Sequence, residues 1–158
     1  MSSAKFYEQL GTGLPSQGGV IPTSGVNNQR HLNTPGYTNN IIGMNLASNS
    51  VYTPIGTYKI KAKTPACMAG NVRAIVWDFT NNVPLIVGQS YTSTVVGGGP
   101  TTANINLYCE VEGTIGITNP CQIGVMLYVQ GPGFAGSFGL PTSDGNLETY
   151  TSLEFETK

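Results

Sequence analysis

From residue 26 onward, apolar and polar residues alternate with a period of two. Residues 56–65 read GTYKIKAKTP. Tyr58, Ile60 and Ala62 fall on one side, and Lys59, Lys61 and Lys63 on the other. This predicts a half-buried antiparallel strand whose lysine row faces water or an anionic partner. Residues 71–80 read NVRAIVWDFT and are apolar on both sides, with Ile75, Trp77 and Phe79 opposed to Ala74 and Val76. A strand apolar on both faces is covered on both, and in a small protein the second cover is often another subunit. Residues 121–130 repeat the pattern. Ile123, Val125, Leu127 and Val129 form one face, and Met126 and Tyr128 sit on the other. Further strands are predicted at 26–33, 41–46, 51–53, 84–89, 104–112, 114–118 and 147–156. Asn81-Asn82 forms a tight turn, and Gly113 is a bulge site.

Residues 1–25 stand apart. Ala4 to Leu10 has room for one or two helical turns presenting Phe6, Tyr7 and Leu10, too short for an independent helix. GTGLPSQGGVIPTSG follows as an extended, Gly- and Pro-broken linker. The expected organisation is an extended N-terminal arm over 1–25, ordered on a partner, and a head domain over 26–158. Eight or more short strands with no helix in the head predict an all-β fold. The expected form is an antiparallel two-sheet β-sandwich, with a jelly roll as the commonest eight-stranded version.

Composition narrows the function. The 158 residues suit one domain. Charged residues make up 9%, against about 25% in an average soluble domain. A net charge of −1 offers no basic excess for nucleic acid. No apolar run approaches the roughly 20 residues that span a bilayer, and the first residues carry no apolar signal-peptide core. Cys67, Cys109 and Cys121 form no CxxC pair, so they read as small buried apolar groups in a reducing compartment.

Catalytic chemistry finds little to stand on. His31 is the lone histidine, so a multi-histidine metal site is excluded, and no GxSxG elbow accompanies it. Glu110 and Glu112 share one strand face, as do Glu148, Glu154 and Glu156, where a solvated face is expected rather than a glycosidase pair. GPGFAG at 131–136 matches G-x-G-x-x-G, but SFGLPTSDG follows and cannot open the helix that a dinucleotide site requires. No catalytic, metal or cofactor residue is expected, and the chain is read as a non-enzyme.

Residues 30–66, RHLNTPGYTNNIIGMNLASNSVYTPIGTYKIKAKTPA, resemble the opening of tumour-necrosis-factor-like (complement-type globular head) jelly-roll domains in phage fibre and virion proteins. RAIVWDFTNN (73–82), VGQS (87–90), YVQ (128–130), FG (138–139) and ETYTSLEFETK (148–158) extend the resemblance over about 130 residues. Residues 91–103 match nothing in it. The resemblance implies a TNF-like jelly roll that trimerises around an axis lined by aromatic and apolar side chains. Val76, Trp77, Met126, Tyr128 and Tyr150 are the interface candidates, since a lone sandwich has no need to bury them. It further implies a viral structural role. A capsid decoration (cement) protein is expected, assembled in the host cytoplasm and located on the virion. Phe6, Tyr7 and Leu10 of the arm would bind the major capsid protein. The alternative is the receptor-binding tip of a tail or head fibre, joined to a fibre or baseplate protein, with Tyr91, Phe134 and Phe138 in the recognition loops. Neither role calls for nucleic acid, membrane or cofactor.

Overall fold

A computed structural model describes residues 2–10, 25–67, 70–93, 106–130 and 148–158. Among these residues eleven strands are formed: β1 (Ser3–Leu10), β2 (Val26–Gln29), β3 (Thr34–Asn39), β4 (Asn45–Ala47), β5 (Ser50–Thr53), β6 (Gly56–Cys67), β7 (Gly70–Asp78), β8 (Val83–Ser93), β9 (Asn106–Ile117), β10 (Cys121–Gln130) and β11 (Glu148–Thr157). They pair into two antiparallel sheets. The first runs β3-β1-β11-β6-β9 and the second β4-β5-β10-β7-β8, with β2 also on β10.

The expected alternation explains both inner faces. Ile60 and Ala62 of β6, Leu153 and Phe155 of β11, and Val125 and Leu127 of β10 are fully buried between the sheets. Tyr58 and Phe6 meet Phe155 edge-on, with ring centroids 6.0 and 6.3 Å apart. Rings in this arrangement add to the area they bury.

The N-terminus departs from expectation. Ser3–Leu10 is neither arm nor helix but a strand held on both sides, by β11 and β3. Ala4 and Phe6 point inward and are fully buried. Sheet pairing satisfies a backbone that a single free helical turn would leave half unpaired. The head therefore includes β1, and the boundary expected at residue 25 does not separate arm from core.

Other differences are local. Residues 41–46 do not form one strand. Asn40 and Gly43 take positive φ (61° and 83°), so the chain turns there and only Asn45–Ala47 pairs. Gly113 is not a bulge, because β9 pairs with β6 in unbroken register from Gly56↔Ile117 to Cys67↔Asn106. A Cβ on Gly113 would lie 3.1 Å from Ile86 of the facing sheet, so its small size serves packing. The Asn81-Asn82 turn forms as expected, with Asn82 at φ 57°.

Candidate interaction surfaces

A Glu8 and Arg30 pair lies inside the sandwich. Arg30 Nη2 donates to Glu8 Oε2 at 2.7 Å, and Nε donates to the same oxygen at 3.1 Å. Thr151 Oγ1 donates to Glu8 at 2.6 Å, accepts from Arg30 Nε and meets Thr64 Oγ1. Burial pulls the Arg30 pKa down, and Glu8 opposes that shift. Buried charges of this kind persist only when paired and hydrogen-bonded. The cluster joins β1, β6 and β11 to the segment after β2, which makes it structural.

The outer face of the first sheet gathers charge. The whole chain has 7 Lys+Arg and 8 Asp+Glu. Sign alternates strand by strand: Lys5 on β1, Glu154 and Glu156 on β11, Lys59, Lys61 and Lys63 on β6, Glu110 and Glu112 on β9. Ion pairs cross it at 3.4 Å (Lys5–Glu154), 2.7 Å (Lys59–Glu112) and 3.3 Å (Lys63–Glu110). The bond to Lys59 holds the Glu112 carboxyl below the usual carboxylate range, and the same bond raises the Lys59 pKa. Tyrosines are interleaved. Tyr37 donates to Glu154 at 3.2 Å, and Lys63 lies 4.6 Å from the Tyr108 ring centroid. Tyr37 and Tyr108 remain 38% and 43% exposed.

At the edge of this face, β8 approaches β9. A cleft of about 350 Å³ opens between residues 87–91 and 110–112, with Lys61 at its rim. Tyr91 lines it while also packing against the core.

The expected interface residues separate. Val76 is fully buried, facing Val125 and Ile86 across its strand neighbours. Tyr150 is 5% exposed, because an irregularity between Tyr7 and Gln9 in the β1–β11 pairing shifts the local phase. Both are core groups and cannot line a seam. Trp77, Met126 and Tyr128 do share the outer face of the second sheet, but each is half-buried within one chain. Beside them Ile75 is only 6% exposed.

The arm candidates also part company. Phe6 is core. Tyr7 lies half-buried on the charged face, with Lys5 5.5 Å from its ring. Leu10 pairs through its backbone with Glu148. Phe134 and Phe138 lie outside the described residues. Cys109 and Cys121 are buried free thiols, pushed up to about 12 and about 11, chiefly by burial.

Sequence reasoning overlooked Tyr37, Tyr108, Ile42 and Ile55. Ile42 and Ile55 are 93% and 64% exposed. They occupy turns at the end of the sandwich where Thr157 N–H donates to the Ser2 carbonyl. The Lys59-Lys61-Lys63 row did signal the charged face, but its acidic partners on β9 lie too far along the chain to be assigned by spacing. Among the described residues, no group of three or more His, Cys, Asp or Glu is placed to hold a metal ion.

No family model and no curated protein matches this sequence. Solved structures do match in fold. Murine APRIL superposes with a TM-score of 0.58 at 10% identity, covering 99% of each chain. Eiger TNF from S. frugiperda superposes with a TM-score of 0.56 at 9% identity, covering 99% of this chain and 92% of the other. The fold is therefore a TNF-like jelly roll. Identity this low carries the architecture and nothing further.

Proposed function

We propose that this jelly roll is a non-enzymatic structural module that assembles as a homotrimer and decorates a larger particle, in the first place a phage capsid. The observation that carries the assembly is the striped face of the first sheet. In a ring of three, a lysine strand of one copy can meet an acidic strand of the next, a heterologous contact that the strand-by-strand alternation of sign allows. The half-exposed Tyr37 and Tyr108 supply contact area, while the stripes fix register more than they add affinity. The apolar groups outside β7 and β10 compete poorly as a seam, since the chain already screens most of their surface.

The viral role is supported by the resemblance across residues 30–66 and 148–158. With β1 inside the sheet, attachment to a major capsid protein falls to the end bearing Ile42 and Ile55, which protrude where a partner pocket could receive them. Native mass spectrometry tests the assembly. Three times 16.6 kDa is expected, and Lys61→Glu with Lys63→Glu should release single chains. A 16.6 kDa species at micromolar concentration would overturn it. Binding to purified capsids, lost in Ile42→Asp, tests the attachment.

A second reading is the receptor-binding tip of a fibre. The cleft lined by Tyr91 favours it, being an open concave site on a rigid sandwich. Copy number per particle separates the two, since a decoration protein recurs across the lattice and a fibre tip does not.

A further inference from the structure

The two outer faces differ in kind. The first sheet carries the charge. Among the described residues, the outer face of β7, β10 and β2 carries one formal charge, Arg73, whose Nη2 donates to Ser90 Oγ at 2.6 Å. The rest of this face is aromatic, neutral and polar, or aliphatic at Ile75 and Met126.

Trp77 lies opposite Gly124, over which the Phe79 ring packs, within 2.6 Å of where a Cβ would stand. Its Nε1 is buried and has no hydrogen-bond partner among the described residues. What half-buried Trp77 shows to solvent is therefore ring carbon rather than its N–H. Tyr128 sits farther along β10, between Arg73 and Asn27 on the neighbouring strands. At the other end Tyr52, 38% exposed, stands opposite Gln122. Gln122 and Tyr128 are six residues apart, so the aromatic row spans about 20 Å at about 3.4 Å per residue. Asn27, Gln29 and Gln122 flank it with amide groups.

We propose that this face binds a neutral oligosaccharide chain. Aromatic carbon stacks on the C–H faces of sugar rings. Neutral amides supply paired donors and acceptors for hydroxyl groups, which themselves both donate and accept. The span accommodates several sugar residues in a row. An anionic glycan or a nucleic acid would require clustered Lys and Arg, and this face offers one guanidinium already bonded to a serine. A protein partner would bury the same amides and leave each needing a matched group. The face points away from the proposed seam, but the inference does not depend on trimer formation, which light scattering on the same sample reports separately.

The chain supplies its own reporter, because Trp77 is its single tryptophan. Trp77 emission should be followed during titration of the protein with maltohexaose, mannohexaose and N-acetylchitohexaose, with heparin as the anionic comparison. The expected result is a saturable change with at least one neutral probe and none with heparin. Tyr128→Ala and Tyr52→Ala, both at outer positions, should each weaken binding about tenfold. Gly116→Ala on β9 of the opposite sheet, where nothing lies within 4 Å of the added Cβ, should bind as the wild type. If Tyr128→Ala fails to fold, Tyr52→Ala alone decides. A neutral glycan array without a response overturns the proposal. So does preferred binding of heparin, or wild-type binding by both tyrosine variants.

Discussion

Arg30 and Glu8 meet at 2.7 Å inside the sandwich, 2% and 5% exposed. The pair ties the N-terminal strand to a segment 22 residues later. Removing one partner of a buried pair leaves the other charge desolvated, which typically costs about 3–5 kcal/mol. Glu8→Ala should therefore lower stability by about that much, read as a shifted denaturation midpoint. The double variant Glu8→Leu with Arg30→Met should recover most of the loss, because two apolar groups of similar volume leave no buried charge behind. A double variant as unstable as Glu8→Ala would show that the network contributes more than charge cancellation.

The placement of β1 makes a second prediction. Phe6 is fully buried against Phe155. Phe6→Ala should cost about 3–5 kcal/mol through lost burial and the cavity left behind. Deleting residues 1–10 should expose the edges of β3 and β11 and leave Arg30 without its carboxylate, so the truncated chain should fail to fold cooperatively. A truncated chain with an unchanged melting temperature would return these residues to the role of a dispensable arm.

β1 was hard to read for a specific reason. Ala4, Phe6 and Glu8 do alternate with Lys5, Tyr7 and Gln9, but Glu8 takes an inward slot where the pattern calls for an apolar residue. Only Arg30, remote in sequence, makes that slot tolerable. Strands β6, β7 and β10 were legible because every inward position there up to Asp78 is apolar or small, and period two then fixes both faces at once. β3 was invisible because Thr34–Asn39 contains Pro35 and Gly36 and buries almost nothing, so neither propensity nor pattern marks it. The burial of Tyr150 is not legible because β11 bulges there, setting Tyr150 and Thr151 against Glu8 alone, and no glycine or proline marks the bulge in the sequence. For the candidate surfaces, composition identified the lysine row but could not bring β9 alongside it.

Gly88 sits where β8 closes the open edge of the sandwich. A Cβ there would lie 2.8 Å from the Ala74 carbonyl oxygen and 3.1 Å from that of Glu110. Both are backbone atoms in separate sheets, so neither can rotate away. Gly88→Ala should destabilise by about 1–3 kcal/mol through overpacking. Gly116→Ala is the matched control, because nothing lies within 4 Å of its Cβ position. It should be neutral or slightly stabilising, by up to about 1 kcal/mol, since glycine in a strand costs entropy. Equal melting temperatures for the two variants would mean that the β8–β9 edge opens without penalty.

The striped face ties assembly to pH in a defined direction. The Lys59 hydrogen bond lowers the Glu112 pKa from its ordinary 4.5. A group depressed in the folded state contributes stability above its unfolded value, and that contribution is lost as pH falls through the folded one. Protonating Glu112 leaves Lys59 without its carboxylate on a face that also carries Lys5, Lys61 and Lys63. Within one chain the effect is small, because exposed pairs are worth about 0–1 kcal/mol. Between copies it is larger, since three faces would set like charges against each other around a shared axis. The proposed trimer should therefore loosen as pH falls from about 5 to about 3, within the carboxylate range. Light scattering should show the mass decreasing while circular dichroism keeps its β signature. Added salt at about 1 M, where the Debye length is about 3 Å, should soften the acid dissociation by screening that repulsion. A mass that stays constant across this interval, with Lys61→Glu and Lys63→Glu equally without effect, would move the seam off this face.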